Sequence, residues 1–216
     1  RHTPNIGIFL YKVFTILIKN SKKPILYVGG GIIHSKANQE LFELSTKFNI
    51  PVVTTLMGRG AFPDGHDLCL EMPGMHGNYT ATTSIQKSDL LIAIGVRFDD
   101  RVTANPSFFA QNAKVIHADI DPAEIGKVRE AQVPIVGDAK SVIIGLIAAL
   151  ENTKLDTENW INELNSMKTK FPLSYNQDEN GPLKVPYVLE ELQNLTEEEA
   201  IVVSGVGQHQ MWISQH

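Results

Sequence analysis

The sequence is poor in the features that mark secreted and nucleic-acid-binding proteins. Among its 216 residues there is one cysteine, Cys69, so no internal disulfide is possible and a disulfide-stapled scaffold is excluded. We therefore expect a reducing compartment, the cytoplasm. No run of basic residues is present, and the formal net charge is -5. Nucleic-acid binding needs clustered positive charge, so we expect small-molecule partners and no nucleic acid.

A long hydrophobic run is lacking as well. The apolar stretch at residues 6–18 is interrupted by Lys12 and is shorter than the roughly 20 residues that a membrane-spanning helix needs, so we interpret it as a buried helix and expect no membrane association. The sequence begins at Arg1 rather than methionine and ends at His216 within an unfinished helical pattern. We expect a piece of a longer polypeptide.

Five short apolar, β-branched runs alternate with helical patterns. The runs cover residues 25–28, 51–54, 90–94, 114–119 and 133–136, and the helical spacing between them is seen, for example, in Leu41, Leu44 and Phe48. This alternation predicts βαβ units and an α/β fold, a doubly wound, Rossmann-like parallel sheet. We expect this domain at residues 23–150, preceded by a connecting helix at residues 1–22.

The remaining sequence changes in composition. Residues 151–185 are polar around one amphipathic stretch that holds Trp160, Leu164 and Met167, which we interpret as a surface helix within a linker. A helix at residues 187–195, a strand at residues 200–204 and a Gly-Val-Gly turn then predict the start of a second α/β domain at residues 186–216.

Glycine and charged residues follow the predicted strands. Because the carboxyl ends of parallel strands meet at one edge of a sheet, these residues predict a ligand site there. Gly95 ends the third run and would let backbone approach a ligand, while Arg97 and Arg101 could bind phosphate oxygens in forked geometry. The alternative is a solvated helix start whose arginines and aspartates neutralise each other. Because glycine or charged residues follow all five predicted strands, a nucleotide site is favoured.

Other positions allow two interpretations each. The triplet at residues 29–31 lacks the third glycine of the dinucleotide fingerprint, which His34 replaces, so a plain tight turn is equally consistent. His76, in a glycine-rich loop, is either a ligand contact or a surface histidine. Asp121 and Asp138 are each suited to ligand binding or to capping a helix, whereas ligand binding is favoured for Asp119.

Several motifs, in order, resemble the acetolactate synthase large subunit. They are Tyr-Val-Gly-Gly-Gly at 27–31, Thr-Thr-Leu-Met-Gly-Arg-Gly at 54–60, Gly-Met-His-Gly at 74–77, Gly-Val-Arg-Phe-Asp-Asp-Arg-Val-Thr at 95–103 and Asp-Ile-Asp-Pro-Ala-Glu-Ile-Gly-Lys at 119–127. This resemblance covers about residues 23–150. Val-Gly-Gln-His-Gln-Met-Trp at 206–212 also resembles the opening of that family's domain for thiamine diphosphate.

The resemblance implies a central domain that binds FAD in a mainly structural role. The positions that would line this site are Gly29, Gly30, Gly31, Thr55, Leu56, Met57, His76, Gly95, Arg97, Asp99, Arg101, Asp119, Ile120, Gly137 and Asp138. The implied reaction condenses pyruvate with a second 2-keto acid, with loss of CO2, in branched-chain amino acid synthesis. Thiamine diphosphate would serve as electron sink.

The same resemblance implies that one further group of residues approaches thiamine diphosphate: Val206, Gly207, Gln208, His209 and Met211. Another group would lie near the substrate channel: Met75, Asp100 and Arg101. The family's activating glutamate lies in an N-terminal domain and its magnesium site beyond His216. We therefore assign no catalytic residue and no metal ligand here, and expect the 216-residue chain alone to be inactive. The family also implies a homo-oligomer and a regulatory small subunit.

Two departures from the family pattern stand out: Gly205 occupies a usual aspartate position, and Ala104 a usual glycine position. Alternatives to the synthase are another thiamine diphosphate enzyme, of the pyruvate oxidase or glyoxylate carboligase type, and a stand-alone nucleotide-binding module, since fold does not fix function. The run at residues 98–101 and that at residues 208–212 favour the synthase.

Overall fold

A five-stranded parallel sheet forms the centre of the molecule. We describe residues 8–196 and 200–216 of a computed structural model, with side chains from residue 12 onward. The strands are β1 (Pro24–Val28), β2 (Val52–Thr54), β3 (Leu90–Ile94), β4 (Lys114–Asp119) and β5 (Val133–Val136). Their spatial order is β2-β1-β3-β4-β5, and every neighbouring pair is parallel. The predicted α/β fold with a doubly wound parallel sheet is confirmed.

Helices connect and cover the strands. They are α1 (Ile8–Asn20), α2 (Gly30–His34), α3 (Asn38–Phe48), α4 (Tyr79–Lys87), α5 (Asp100–Thr103), α6 (Ala139–Ala149), α7 (Glu158–Lys170), α8 (Val185–Leu195) and α9 (Gln208–Gln215). Two short 3-10 helices lie at Leu56–Gly58 and Pro106–Phe108. Among the described residues, none of the helices has both the length and the apolar character needed to cross a bilayer.

Each face of the sheet is covered by its own hydrophobic cluster. Side chains alternate along a strand, so Leu90, Ile92 and Ile94 of β3 point to one face while Leu91 and Ala93 point to the other. The first face packs against α1, α3 and α6, and the second against α4 and α7. Burial on both faces explains why the strands are almost continuously apolar.

The amphipathic stretch at residues 151–185 corrects one prediction. Helix α7 is not a surface helix within a linker, because Trp160 is 1% exposed and packs with Leu164 and Met167 on the second face of the sheet. The Trp160 indole N–H also donates to the Pro24 carbonyl at 3.2 Å. The polar residues within this helix lie away from the sheet and are exposed or half-buried, whereas the other polar residues of the segment flank the helix. The domain limits themselves stay a prediction.

The predictions for the two ends have mixed outcomes. Helix α1 buries Phe14 and Ile18 but exposes Ile16, so it is buried on one face only, and residues 6 and 7 lie outside the described residues. Helix α8 is present at the predicted place. The predicted strand at residues 200–204 is absent: this segment is irregular and Ile201 is 91% exposed. A strand needs a hydrogen-bonded neighbour, and none pairs with it in the described chain.

Candidate functional site

A cavity of about 590 Å³ opens at the carboxyl edge of the sheet. It lies where the strand order reverses between β1 and β3, the place where doubly wound sheets bind ligands. Its volume falls within the range of small-molecule and cofactor sites. The lining residues are Tyr27, Gly30, Thr55, Leu56, Met57, Met72, Pro73, Met75, His76, Gly95, Val96, Arg97, Asp99, Arg101, Val102 and Gln210.

The cavity gathers part of the residue set that the sequence resemblance implies. The predicted residues that line it are Gly30, Thr55, Leu56, Met57, Met75, His76, Gly95, Arg97, Asp99 and Arg101. The predicted residues that do not are Gly29, Gly31, Asp100, Asp119, Ile120, Gly137, Asp138, Val206, Gly207, Gln208, His209 and Met211. Their binding roles stay predictions in both groups.

Two glycines of the triplet serve packing rather than lining. A Cβ atom on Gly29 would lie 2.2 Å from the Gly95 carbonyl oxygen, and one on Gly31 would lie 2.6 Å from the Gly95 Cα. The Gly31 N–H also donates to the Gly95 carbonyl oxygen at 3.2 Å. Gly95 itself has a positive φ of 59°. Main-chain contact between these glycines therefore fixes the floor of the cavity, and Gly30 alone of the triplet borders it.

Large apolar side chains surround the mouth. Leu56 and Met57 lie on the 3-10 helix after β2, and Met57 is 70% exposed. Met75, on the glycine-rich loop, is 68% exposed. Exposed apolar side chains grouped at a cavity are typical of a ligand-binding groove. They offer a surface for the flat ring of a ligand.

Charged residues from the segment after β3 complete the rim. Asp99 caps α5 by accepting a hydrogen bond from the Arg101 backbone N–H at 3.0 Å, and this bond is the main reason that the pKa of Asp99 lies below its usual value. The Arg97 guanidinium is 3.9 Å from the Asp99 carboxylate, and the Arg101 Nε is 4.0 Å from the Asp100 carboxylate. Such exposed, long ion pairs contribute little. The helix start is therefore real, yet both arginines remain able to bind an anion.

Strained backbone flanks α5 on both sides. Phe98, just before it, has φ of 53°, and Ala104, just after it, has φ of 49°. Positive φ is unfavourable for side chains larger than glycine, and such residues cluster at functional sites. The position of Ala104 thus has a backbone conformation that favours glycine.

The glycine-rich loop meets the C-terminal segment of the chain. His76 lines the cavity, and its carbonyl accepts from the Ser214 hydroxyl at 3.4 Å, while the Gln215 amide donates to the Gly77 carbonyl at 3.2 Å. Gln210 of α9 reaches the cavity itself. The motif at residues 206–212 is therefore adjacent to the cavity, although Val206 and the Gly207 turn are outside its lining.

The carboxylates at and just after the ends of β4 and β5 lie along the same edge but make local bonds. The Asp119 carboxylate accepts from the Asp121 N–H at 2.9 Å, and Asp121 accepts from Ala123 N–H at 2.9 Å. Asp138 caps α6 by accepting from the Ser141 N–H at 3.1 Å. Capping thus describes Asp138, whereas Asp121 stabilises a turn rather than a helix.

Sequence reasoning gave no site role to several lining residues: Tyr27, Met72, Pro73, Val96, Val102 and Gln210. Each is next to, or within, a motif already recognised. Tyr27 begins the triplet motif, and Val96 and Val102 flank the rim arginines. The available signal was therefore position beside a recognised motif rather than residue type.

Comparison with known proteins agrees with this fold. The family described as "Thiamine pyrophosphate enzyme, central domain" matches residues 13–146, which include all five strands. The chain belongs to this family. Its matched region holds all of the cavity lining except Gln210.

Three similar proteins are each named as an acetolactate synthase or its large subunit. Acetolactate synthase of Mycobacterium leprae is 53% identical over 203 residues, which is 92% of this chain and 32% of that protein. The acetolactate synthase large subunit of Corynebacterium glutamicum is 50% identical over 202 residues, 92% of this chain and 32% of its own length. Acetolactate synthase, chloroplastic, of Arabidopsis thaliana is 47% identical over 203 residues, with 92% and 30% covered. The chain spans about a third of the length of these relatives.

Proposed function

We propose that this central domain is the FAD-binding portion of an acetolactate synthase. The observation that supports the proposal best is the cavity at the β1–β3 switch point, bordered by apolar side chains and two arginines. The similarity to acetolactate synthases along 92% of the chain agrees with it.

The residues present fit a flavin dinucleotide. Leu56, Met57 and Met75 would contact a flat aromatic ring, and their exposure without a ligand is explained by such a role. Arg97 and Arg101 would hold the pyrophosphate oxygens, since guanidinium groups bind phosphate through paired N–H donors. Gly30 and Gly95 allow the ligand to approach the main chain. The FAD would have a structural role, as the sequence resemblance implies.

We further propose that the whole protein condenses pyruvate with a second 2-keto acid, releasing CO2. Thiamine diphosphate, when bound, supplies the electron sink for such a reaction. This chain's own contribution would be positional. The glycine-rich loop and α9 are in contact through Ser214 and Gln215, so residues toward the thiamine diphosphate would be held beside the flavin cavity. These residues are proposed to be Val206, Gly207, Gln208, His209 and Met211.

The remaining proposals concern the rest of the protein. Met75, Asp100 and Arg101 would lie near the substrate channel, and magnesium would be bound elsewhere. We propose that the 216-residue chain alone has no synthase activity, because it corresponds to a central domain and about a third of its relatives. A homo-oligomer with a regulatory small subunit and a cytoplasmic location are proposed as well. Plant relatives are named chloroplastic.

Titration of the purified protein with FAD tests the proposal. Flavin fluorescence should change saturably, and the melting temperature should rise with FAD concentration because a ligand that binds only the folded state stabilises it. Riboflavin should bind more weakly, since it lacks the pyrophosphate that the arginines would hold. A folded protein that binds no FAD would contradict the flavin assignment. Acetolactate formation from pyruvate by the natural full-length protein, and its absence from residues 1–216 alone, tests the reaction.

A further inference from the structure

A buried phenol beside the cavity has no hydrogen-bond partner among the residues that the structure describes. Tyr27 is 0% exposed on β1 and borders the cavity, yet within the described chain its hydroxyl makes no hydrogen bond. The ring is held in place by Phe98, whose centroid is 5.6 Å away. The hydroxyl is therefore a buried polar group of a cavity-lining residue, and no residue in the described part of the chain satisfies it.

Such a group is unusual, because buried hydroxyls in proteins almost always have partners. Packing alone does not require a hydroxyl at this position, since phenylalanine would fill nearly the same space without leaving a donor unpaired. Burial, and secondarily the negative charge of Asp99, raise the pKa of Tyr27 far above its usual value. The phenol therefore stays protonated and can serve as a hydrogen-bond donor. What is missing is an acceptor, and the cavity is the place from which one can come.

The surroundings restrict the acceptor. The influence of Asp99, which also borders the cavity, means that a negatively charged group beside the Tyr27 hydroxyl would be repelled. The lining of the cavity also includes the buried apolar side chains of Met72 and Val96, whereas the two arginines lie on the exposed rim. These features favour a neutral acceptor, a carbonyl oxygen or an aromatic ring nitrogen, over a phosphate oxygen.

We propose that the Tyr27 hydroxyl donates a hydrogen bond to a neutral acceptor on a heteroaromatic ring of the bound dinucleotide. The inference rests on the proposed FAD site and adds a specificity-determining residue to it. Tyr27 would select a ring that presents an acceptor at this depth, while Arg97 and Arg101 would bind the charged part of the ligand.

Tyr27→Phe tests the inference, because it removes only the donor. In the absence of FAD, the melting temperature should stay the same or rise, since a buried unsatisfied group is lost. With FAD, the dissociation constant should increase about 5- to 20-fold, and the absorption spectrum of the bound flavin should differ from that of the wild type. Tyr79→Phe is the matched control: Tyr79 is half-exposed at the start of α4 and outside the cavity lining, so neither quantity should change.

The results separate this inference from the proposed function. If the wild-type protein binds no FAD, the flavin site itself is wrong. If wild type binds FAD and Tyr27→Phe binds it equally well, the flavin site stands and the role of Tyr27 is overturned. A Tyr27→Phe variant that melts at a lower temperature without FAD would also overturn it, because the hydroxyl would then have a partner in the protein.

Discussion

At the amino edge of the sheet, charged side chains bond to other parts of the protein, whereas at the carboxyl edge the rim arginines approach carboxylates only to about 4 Å. Asp89, just before β3, accepts hydrogen bonds from the Ser21 hydroxyl and from the backbone N–H groups of Lys22 and Lys23. Glu163 of α7 binds both Lys23 and Lys87, at 2.6 and 2.9 Å. The same residue types thus hold the fold together at one edge and remain available to a ligand at the other.

This difference separates stability from binding. Changes at the amino edge should lower the free energy of unfolding and leave the affinity of the folded protein for FAD unchanged. Changes at the rim of the carboxyl edge should lower the affinity for FAD and leave the free energy of unfolding nearly unchanged. The glycine contact below the cavity belongs to both groups, because it is part of the packing and also forms the floor of the site.

The largest effect is expected at the amino edge. Trp160→Ala should lower the free energy of unfolding by about 4 kcal/mol, because it empties a fully buried site under the sheet. Trp160→Phe should cost less, since it keeps most of the packing and loses the bond to the Pro24 carbonyl. Urea denaturation gives both values. A change in FAD affinity of the folded Trp160→Ala protein would break the separation between the two edges.

Gly95→Ala should lower the free energy of unfolding by about 3 kcal/mol, from left-handed backbone strain together with overpacking against Gly31. It should also abolish FAD binding by displacing the floor of the cavity. Gly126→Ala is the matched control: Gly126 has φ of 76°, but a Cβ there would meet nothing within 4 Å. That variant should lose only about 1 kcal/mol, the strain term. Equal losses in the two variants would disprove a packing role for Gly95.

Arg97→Ala should raise the dissociation constant for FAD about 10- to 100-fold, the effect of losing a charged hydrogen bond. Because Arg97 is exposed and its ion pair is long, the free energy of unfolding should change by less than about 0.5 kcal/mol. Lys19→Ala removes the same charge from the exposed end of α1 and should leave FAD affinity unaltered. If Lys19→Ala weakened binding as much, net charge rather than a rim contact would explain the effect.

Ala104→Gly should stabilise the protein by about 1 kcal/mol, because it relieves a positive φ at the end of α5. The sign is opposite to that of the other variants. Thermal unfolding without ligand measures it, and Ala123→Gly serves as a control, since Ala123 is absent from the positions with positive φ. A destabilised Ala104→Gly protein would show that the strain is compensated by contacts of the methyl group.

The smallest effect concerns pH. Hydrogen bonds from Lys23 and then Lys87 lower the pKa of Glu163 in the folded protein. A lowered folded pKa stabilises the fold above the unfolded pKa of about 4.3, and this contribution is lost as the pH falls through the folded pKa. The group is partly exposed, so we expect less than about 1 kcal/mol between pH 6 and pH 3, reduced by salt. Glu163→Gln should lose this dependence, whereas Glu158→Gln on the same helix should retain it.

Much of this architecture could be predicted because its signals are local. Apolar runs between helical patterns located all five strands, and the glycines and arginines after them indicated the edge at which the cavity lies. Helix α7 could not be placed that way, because its polar outer face resembles a linker and only tertiary contact shows that Trp160 is in the core. The strand expected at residues 200–204 failed for the opposite reason: its β-branched residues favour a strand, but a strand also requires a neighbour.

The different roles of the residues around the cavity could not be predicted from the sequence either. Gly29, Gly30 and Gly31 are identical residues, yet only the structure distinguishes the two that pack on Gly95 from the one that borders the cavity. Tyr27 is similar, because a tyrosine in a buried strand gives no sign that its hydroxyl has no partner. Such properties depend on what lies across the sheet rather than on neighbours in the chain.

The contact of Gly29 and Gly31 with Gly95 has a consequence for redesign. Main chain touches main chain there, so the distance between the ends of β1 and β3 is set without any side chain. The rim residues Leu56, Met57 and Met75 can then be exchanged to suit a different aromatic ligand while the scaffold keeps its dimensions. The main-chain contact therefore fixes the dimensions of the cavity, whereas the side chains at its rim determine which ligand it accepts.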